Sequence, residues 1–144
     1  MATPTISLPP RLELKIDLTE EQFWQLCHKN GDLQFEMTAT GKLIVMPPTG
    51  GTTSDRNADL TFQLEAWNRQ RRLGIVFDSS GGFKLPNGAI RAPDCSWVKL
   101  DRWNALTQDE QDRFAPLCPD FVVELMSPSD TLPEGSISIS YLAA

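Results

Sequence analysis

Apolar residues recur along this chain with two periods, one near 3.6 residues and one near two, and turn formers separate the runs. Leu18 to Phe23 has the marks of a helix start. Thr19 can cap, Gln22 stands at the return position of a capping box, and Leu18 can staple against Phe23. Phe23, Leu26 and Cys27 fall on one face, and Gly31 supplies the stop. Leu33 to Met37 and Lys42 to Met46 read as strands of a hairpin joined by Thr38-Ala39-Thr40-Gly41, and Pro47-Pro48 ends the second strand. Thr49 to Ser54 reads as a flexible loop. The spacing then predicts a long helix from about Asp55 to Arg72, with Leu60, Leu64, Trp67 and Arg71 on one stripe, Phe62 and Ala66 beside it, and Gly74 as its stop. Ile75 to Phe77, Phe83 to Leu85 and Cys95 to Val98 have strand character, with a turn at Pro86-Asn87-Gly88. Thr107 to Glu110 is a second capping box opening a short helix that ends before Pro116. Phe121 to Leu125 is the most apolar strand, stiffened by Val122 and Val123.

The order helix, hairpin, helix, strands, short helix, buried strand predicts a mixed α/β domain, a mixed sheet flanked by helices. Residues 1–17, with prolines at 4, 9 and 10, read as an irregular N-terminal arm. No internal repeat or linker divides the chain. At 144 residues, with 40% hydrophobic and 22% charged residues, the composition is that of one ordinary globular domain. No apolar run approaches the roughly 18 residues of a spanning helix. The opening residues lack the basic and apolar regions of a secretory signal. Cys27, Cys95 and Cys118, an odd number at wide spacing, suit a reduced interior, so a cytoplasmic location is expected. A net charge of -6 argues against broad electrostatic attraction to nucleic acid or an anionic membrane. It leaves room for a site where carboxylates hold a metal ion. With His28 the single histidine, serine–histidine chemistry and most zinc sites are disfavoured; a helix-surface position is its expected place.

Glu124 is the most informative residue. It lies inside Phe121-Val122-Val123-Glu124-Leu125-Met126, which otherwise reads as a central strand, and an ionised carboxylate without a partner there would cost several kcal/mol. An arginine, a strand end open to water, or a bound cation would compensate it. Asp94 opens the preceding strand behind Pro93, where proline leaves the ladder intact. If the two strands are neighbours, Asp94 and Glu124 converge at one edge of the sheet, and Glu36, between Phe35 and Met37, is a third candidate. Carboxylates on strands suit Mg²⁺ or Mn²⁺. Such an ion polarises a phosphoryl oxygen and lowers the pKa of bound water.

Several strings then stand together in order. These are Gly41-Lys42-Leu43-Ile44-Val45-Met46-Pro47-Pro48, the run Phe77 to Gly88, Arg91-Ala92-Pro93-Asp94, and Pro119 to Asp130. This arrangement resembles the bacterial Uma-type restriction endonuclease family, a branch of the PD-(D/E)XK nuclease superfamily, from about Leu18 to Thr131. The resemblance implies a restriction-endonuclease-like core over residues 18–131 and Mg²⁺- or Mn²⁺-dependent hydrolysis of DNA phosphodiester bonds. Asp94 matches the proline–aspartate position and Glu124 the second acidic position, both as metal ligands, and Glu36 matches an early acidic position. The slot two residues beyond the second acid, lysine in the general pattern, is Met126. The basic residue expected from a downstream helix is also missing: Lys99 is the last lysine, Arg113 the last arginine, and Leu132-Pro133-Glu134-Gly135 breaks the helical pattern. Residues 132–144 therefore read as an atypical tail of a truncated chain, and impaired cleavage is expected, since one lost preorganised donor costs about 10²–10³ in rate.

The alternative is a non-catalytic, self-associating remnant that keeps the fold, with a homodimer as its simplest form; a module that binds nucleic acid without cutting it is a third reading. Arg69, Arg71 and Arg72 read as a solvated helix end more readily than as a DNA contact. Gly50 to Ser54 lacks the Gly-Lys-Ser/Thr ending of a P-loop. Trp24, Trp67, Trp97 and Trp103 read as core or dimer-contact residues. Cys95 has no evident base and reads as structural.

Overall fold

Thr19 caps the first helix as its sequence demands: its Oγ1 accepts from Gln22 N–H at 3.1 Å, and Gln22 Oε1 accepts from Thr19 N–H at 2.9 Å. In this computed structural model, residues 11–125 and the backbone of Ile137–Ser138 are described. The strands are β1 (Leu12–Lys15), β2 (Gln34–Met37), β3 (Lys42–Met46), β4 (Gly74–Phe77), β5 (Phe83–Lys84), β6 (Ile90–Arg91), β7 (Cys95–Lys99), β8 (Phe121–Leu125) and β9 (Ile137–Ser138). The helices are α1 (Glu20–Lys29), α2 (Gly51–Arg71), α3 (Leu100–Asn104) and α4 (Gln108–Asp112). The class is the α/β expected. The sheet, however, is divided into two, with orders β1-β3-β2-β6-β5 and β4-β7-β8-β9. The strands of each pair antiparallel; a parallel contact appears as the isolated bridge of Phe83 with Ala115.

α1 lays Phe23 on the first sheet, where it packs with Met37, Leu43 and Ile90, and Leu18, Leu26, Phe35 and Phe114 border them. Buried apolar surface of this kind contributes about 25 cal/mol per Å². A second cluster, Phe83, Leu85, Ala89, Val98, Ala115 and Leu117, ties β5 and the loops to the inner face of β7.

Four features depart from the pattern-based reading. Residues 12–15, inside the stretch expected to be irregular, form β1, whose backbone pairs with the otherwise open edge of β3 from Leu12↔Val45 to Lys15↔Lys42. The expected loop at Thr49–Ser54 is largely helix: α2 starts at Gly51, and Ser54 N–H bonds Gly50 C=O at 3.0 Å. The stripe on α2 is only partly covered, with Leu60 and Leu64 half-buried. Trp67 is 41% exposed and Phe62 71%, while Asn68 is buried. The inward positions include polar residues with named partners: Asn68 donates to Gly74 C=O and accepts from Trp97 Nε1, both at 2.9 Å. Gly74 does not end the helix. Arg72 does, in the left-handed region at φ 53°, with its N–H on Asn68 C=O. Gly74 instead starts β4, where a Cβ would lie 2.3 Å from both Trp97 Cε2 and Val98 C=O.

Candidate active site

β7 and β8 are neighbours, with Cys95↔Val123, Ser96↔Val122 and Trp97↔Phe121 in register. One further step in that register sets Asp94 against Glu124. Alternation puts Cys95 and Trp97 toward α2, where the Trp97 indole donates to Asn68 Oδ1. Glu124 shares the other face with Val122. The two carboxyls stand close enough for each to raise or lower the other's titration, and Asp94 Oδ2 accepts from Leu125 N–H at 2.7 Å.

Two acids in contact cannot both ionise without cost. Glu124 is pushed up to about 8, first by burial, then by the charge of Asp94 and that of Glu36. Asp94 is also raised, chiefly by burial, while the Leu125 N–H pulls it back. Burial beside a like charge thus favours the protonated form of Glu124 at neutral pH. Among the described residues, the glutamate seen inside an apolar strand is matched by no arginine in an ion pair; burial and its neighbouring acids push it toward its neutral form.

Glu36 stands in the other sheet and is differently bound. Its Oε2 accepts from Arg91 Nη1 and its Oε1 from Ala92 N–H, each at 3.0 Å. Its charge nonetheless raises both Asp94 and Glu124, so it belongs to the same acidic cluster. Among the described residues, no group of three or more His, Cys, Asp or Glu side chains is gathered to hold a metal ion. Two carboxylates suffice for Mg²⁺, which keeps several waters and is commonly held by one or two acids plus substrate phosphate. The Asp94–Glu124 pair fits that donor set, because a bound cation would relieve the repulsion between the two acids.

A cleft of about 310 Å³ opens beside Asp94. Its walls are Gln34 of β2, Ser54, Asn57 and Thr61 of α2, and Asp78 and Ser79 of the loop after β4. Asn57 Oδ1 is buried in this wall with no hydrogen-bond partner among the described residues. Sequence reasoning misses Asn57 and Arg91. Nothing in the pattern singles out Asn57. Arg91 stands in the string Arg91-Ala92-Pro93-Asp94, but the superfamily pattern directs the search for a base downstream of Glu124.

The remaining candidates are packed as structure. His28 is exposed on α1, with Nδ1 2.9 Å from Trp24 C=O. Trp67 meets Trp97 edge-on at 5.8 Å, and Trp103 packs on Phe77. Burial pushes the Cys27 and Cys95 thiols up, the opposite of an activated nucleophile. Arg69 bonds Glu65 within α2, and Arg71 lies over Trp67. Met126 and residues 132–136 and 139–144 of the expected tail lie outside the described residues.

A mixed α/β domain of two antiparallel sheets, with paired acids at the edge of its central strands, is a restriction-endonuclease-like fold. The chain belongs to the Uma2 family, described as "Putative restriction endonuclease", whose family model matches residues 20–144. The matched residues include 132–144, the stretch whose sequence reads as atypical. No curated protein matches the chain. No helix among the described residues is long and apolar enough to cross a membrane.

Proposed function

We propose that this chain is a divalent-metal-dependent endonuclease that hydrolyses DNA phosphodiester bonds, with Asp94 and Glu124 as the ligands of Mg²⁺ or Mn²⁺. The carrying observation is the register of β7 and β8, which sets Asp94 against Glu124 beside an open cleft, two half-buried acids in a place that favours added positive charge. When bound, the ion would polarise the phosphoryl oxygen and supply a hydroxide nucleophile at neutral pH. The protein's part is positional. Leu125 N–H fixes the Asp94 carboxylate, the register of β7 and β8 holds Glu124 against it, and the cleft walled by α2 and Gln34 opens onto Asp94. The site works in a reducing cytoplasm, where its thiols remain unoxidised.

The test is Mg²⁺ titration by calorimetry on wild type, Asp94→Asn and Glu124→Gln, together with plasmid nicking in Mg²⁺ and Mn²⁺. Saturable binding lost in both variants, with nicking lost in parallel, is the expected result. Wild-type protein that binds the ion no better than the variants refutes the assignment. A self-associating role is a second reading, favoured by the exposure of Phe62 (71%) and Leu73 (57%) on the α2 side of the domain. Sedimentation decides it, since a monomer at all concentrations removes the homodimer.

A further inference from the structure

We infer that Arg91 is the phosphate-binding cation of this site and that Glu36 is its positioning residue, not a third metal ligand. The inference rests on the nuclease reading above and deepens it. Both carboxylate oxygens of Glu36 are engaged, Oε2 by the Arg91 guanidinium and Oε1 by Ala92 N–H. An ion at Glu36 would have to displace a charge-assisted bond. The pair comes from facing positions on β2 and β6, since Met37↔Ile90 is in register and Glu36 and Arg91 are the next residues on each strand. The Arg91 side chain is 29% exposed against 14% for Glu36. The carboxylate is thus the inner partner and the guanidinium fork the outer one.

Charge at the cluster gives the fork its task. Glu36 is held by Ala92 N–H, two residues before Asp94, so its guanidinium partner Arg91 stands at the same acidic edge, three residues before Asp94 in sequence. A phosphodiester approaching three carboxylates is repelled unless positive charge faces it. Arginine presents five N–H donors in a planar fork suited to phosphate oxygens. Two other ion pairs beside this sheet, Lys84 with Glu20 and Arg113 with Glu21, are tied to α1, and Arg11 pairs with Glu13 on the edge strand β1. The donor expected downstream of Glu124 is thereby supplied from upstream, by a strand of the other sheet.

The experiment uses the full chain as wild type, Arg91→Gln, Arg91→Lys and Glu36→Gln, each checked for wild-type melting. Mg²⁺ affinity is read by calorimetry, binding of a labelled DNA duplex in saturating Mg²⁺ by anisotropy across a salt series, and nicking by plasmid assay. Arg91→Gln is expected to lower the slope of log affinity against log salt by about 0.9, the value of one phosphate contact. It is expected to slow nicking by about 10²–10³, with Arg91→Lys restoring the slope and part of the rate. Glu36→Gln is expected to keep Mg²⁺ affinity within about threefold of wild type while slowing nicking, the behaviour of a positioning residue. Mg²⁺ affinity lost in Glu36→Gln as fully as in Asp94→Asn makes Glu36 a ligand and overturns the inference. So does an Arg91→Gln protein that nicks and binds like wild type, and there the nuclease reading survives. A wild type that binds with an Arg91-dependent slope but never nicks defeats hydrolysis and leaves Arg91 as the phosphate contact. Wild type that neither binds nor nicks overturns both.

Discussion

Replacing Glu124 by glutamine should stabilise the protein when metal is removed, by an amount that depends on pH. Glu124 has a folded-state pKa of about 8 against 4.5 for the free side chain. Below pH 4.5 both folded and unfolded chains hold the proton, and the raised pKa has no effect. Between 4.5 and 8 the unfolded chain releases a proton that the folded chain keeps, so stability falls as pH rises, by up to about 1.4 kcal/mol per pH unit. Above 8 both states are ionised and the loss is complete. With these two values the deficit is about 3 kcal/mol at pH 7 and approaches about 5 kcal/mol above pH 9. Glutamine has the same shape, donates through its amide to the Asp94 carboxylate, and carries no charge. The assay is urea or thermal unfolding from about pH 5 to 9, in chelator and again in Mg²⁺. In chelator, Glu124→Gln should exceed wild type by about 1–3 kcal/mol at pH 7.5, a rise in Tm of roughly 3–10 °C, and the two should converge near pH 5. In Mg²⁺ the order should reverse, because an ion that binds only the folded wild type adds stability by mass action. Wild-type stability that is flat across this range in chelator, or a glutamine variant that is weaker throughout, refutes the proposed burial and repulsion of the pair.

Gly74→Ala would place a methyl 2.3 Å from Val98 C=O and the Trp97 ring, and should cost about 2–4 kcal/mol in urea unfolding. Gly31→Ala, with nothing within 4 Å of the added Cβ, should stay within about 1 kcal/mol of wild type. Asn68→Ala strips partners from Trp97 Nε1 and Gly74 C=O together, and should cost about 2–3 kcal/mol with a change in Trp97 fluorescence. Thr19→Ala removes the capping box of α1 and should cost about 1 kcal/mol, read as an equal loss in denaturant unfolding at neutral pH.

Local chemistry makes some parts of this protein legible from sequence, and distant partners hide the rest. The two capping boxes, at Thr19 and Thr107, form as their residues require because each is completed within four residues. The hairpin of β2 and β3 follows from Thr38 to Gly41, where Gly41 takes φ 84° and Lys42 N–H bonds Thr38 Oγ1. Asp94 and Glu124 are visible because an acid in an apolar run is costly wherever it lies, and adjacency of their strands is all that unites them. β1 is hidden because four residues form a strand there only through the open edge of β3. The inner face of α2 is hidden because its neighbours on β4 and β7 offer hydrogen-bond partners, a backbone carbonyl and an indole, so an asparagine is buried where periodicity favours a tryptophan. Arg91 is hidden for the same reason in reverse. A cation gives no hydrophobic signal, and its significance depends on Glu36, 55 residues away. Residues that complete a charged site from another sheet therefore have to be sought by which strand faces which, and not by their spacing from the acids they serve.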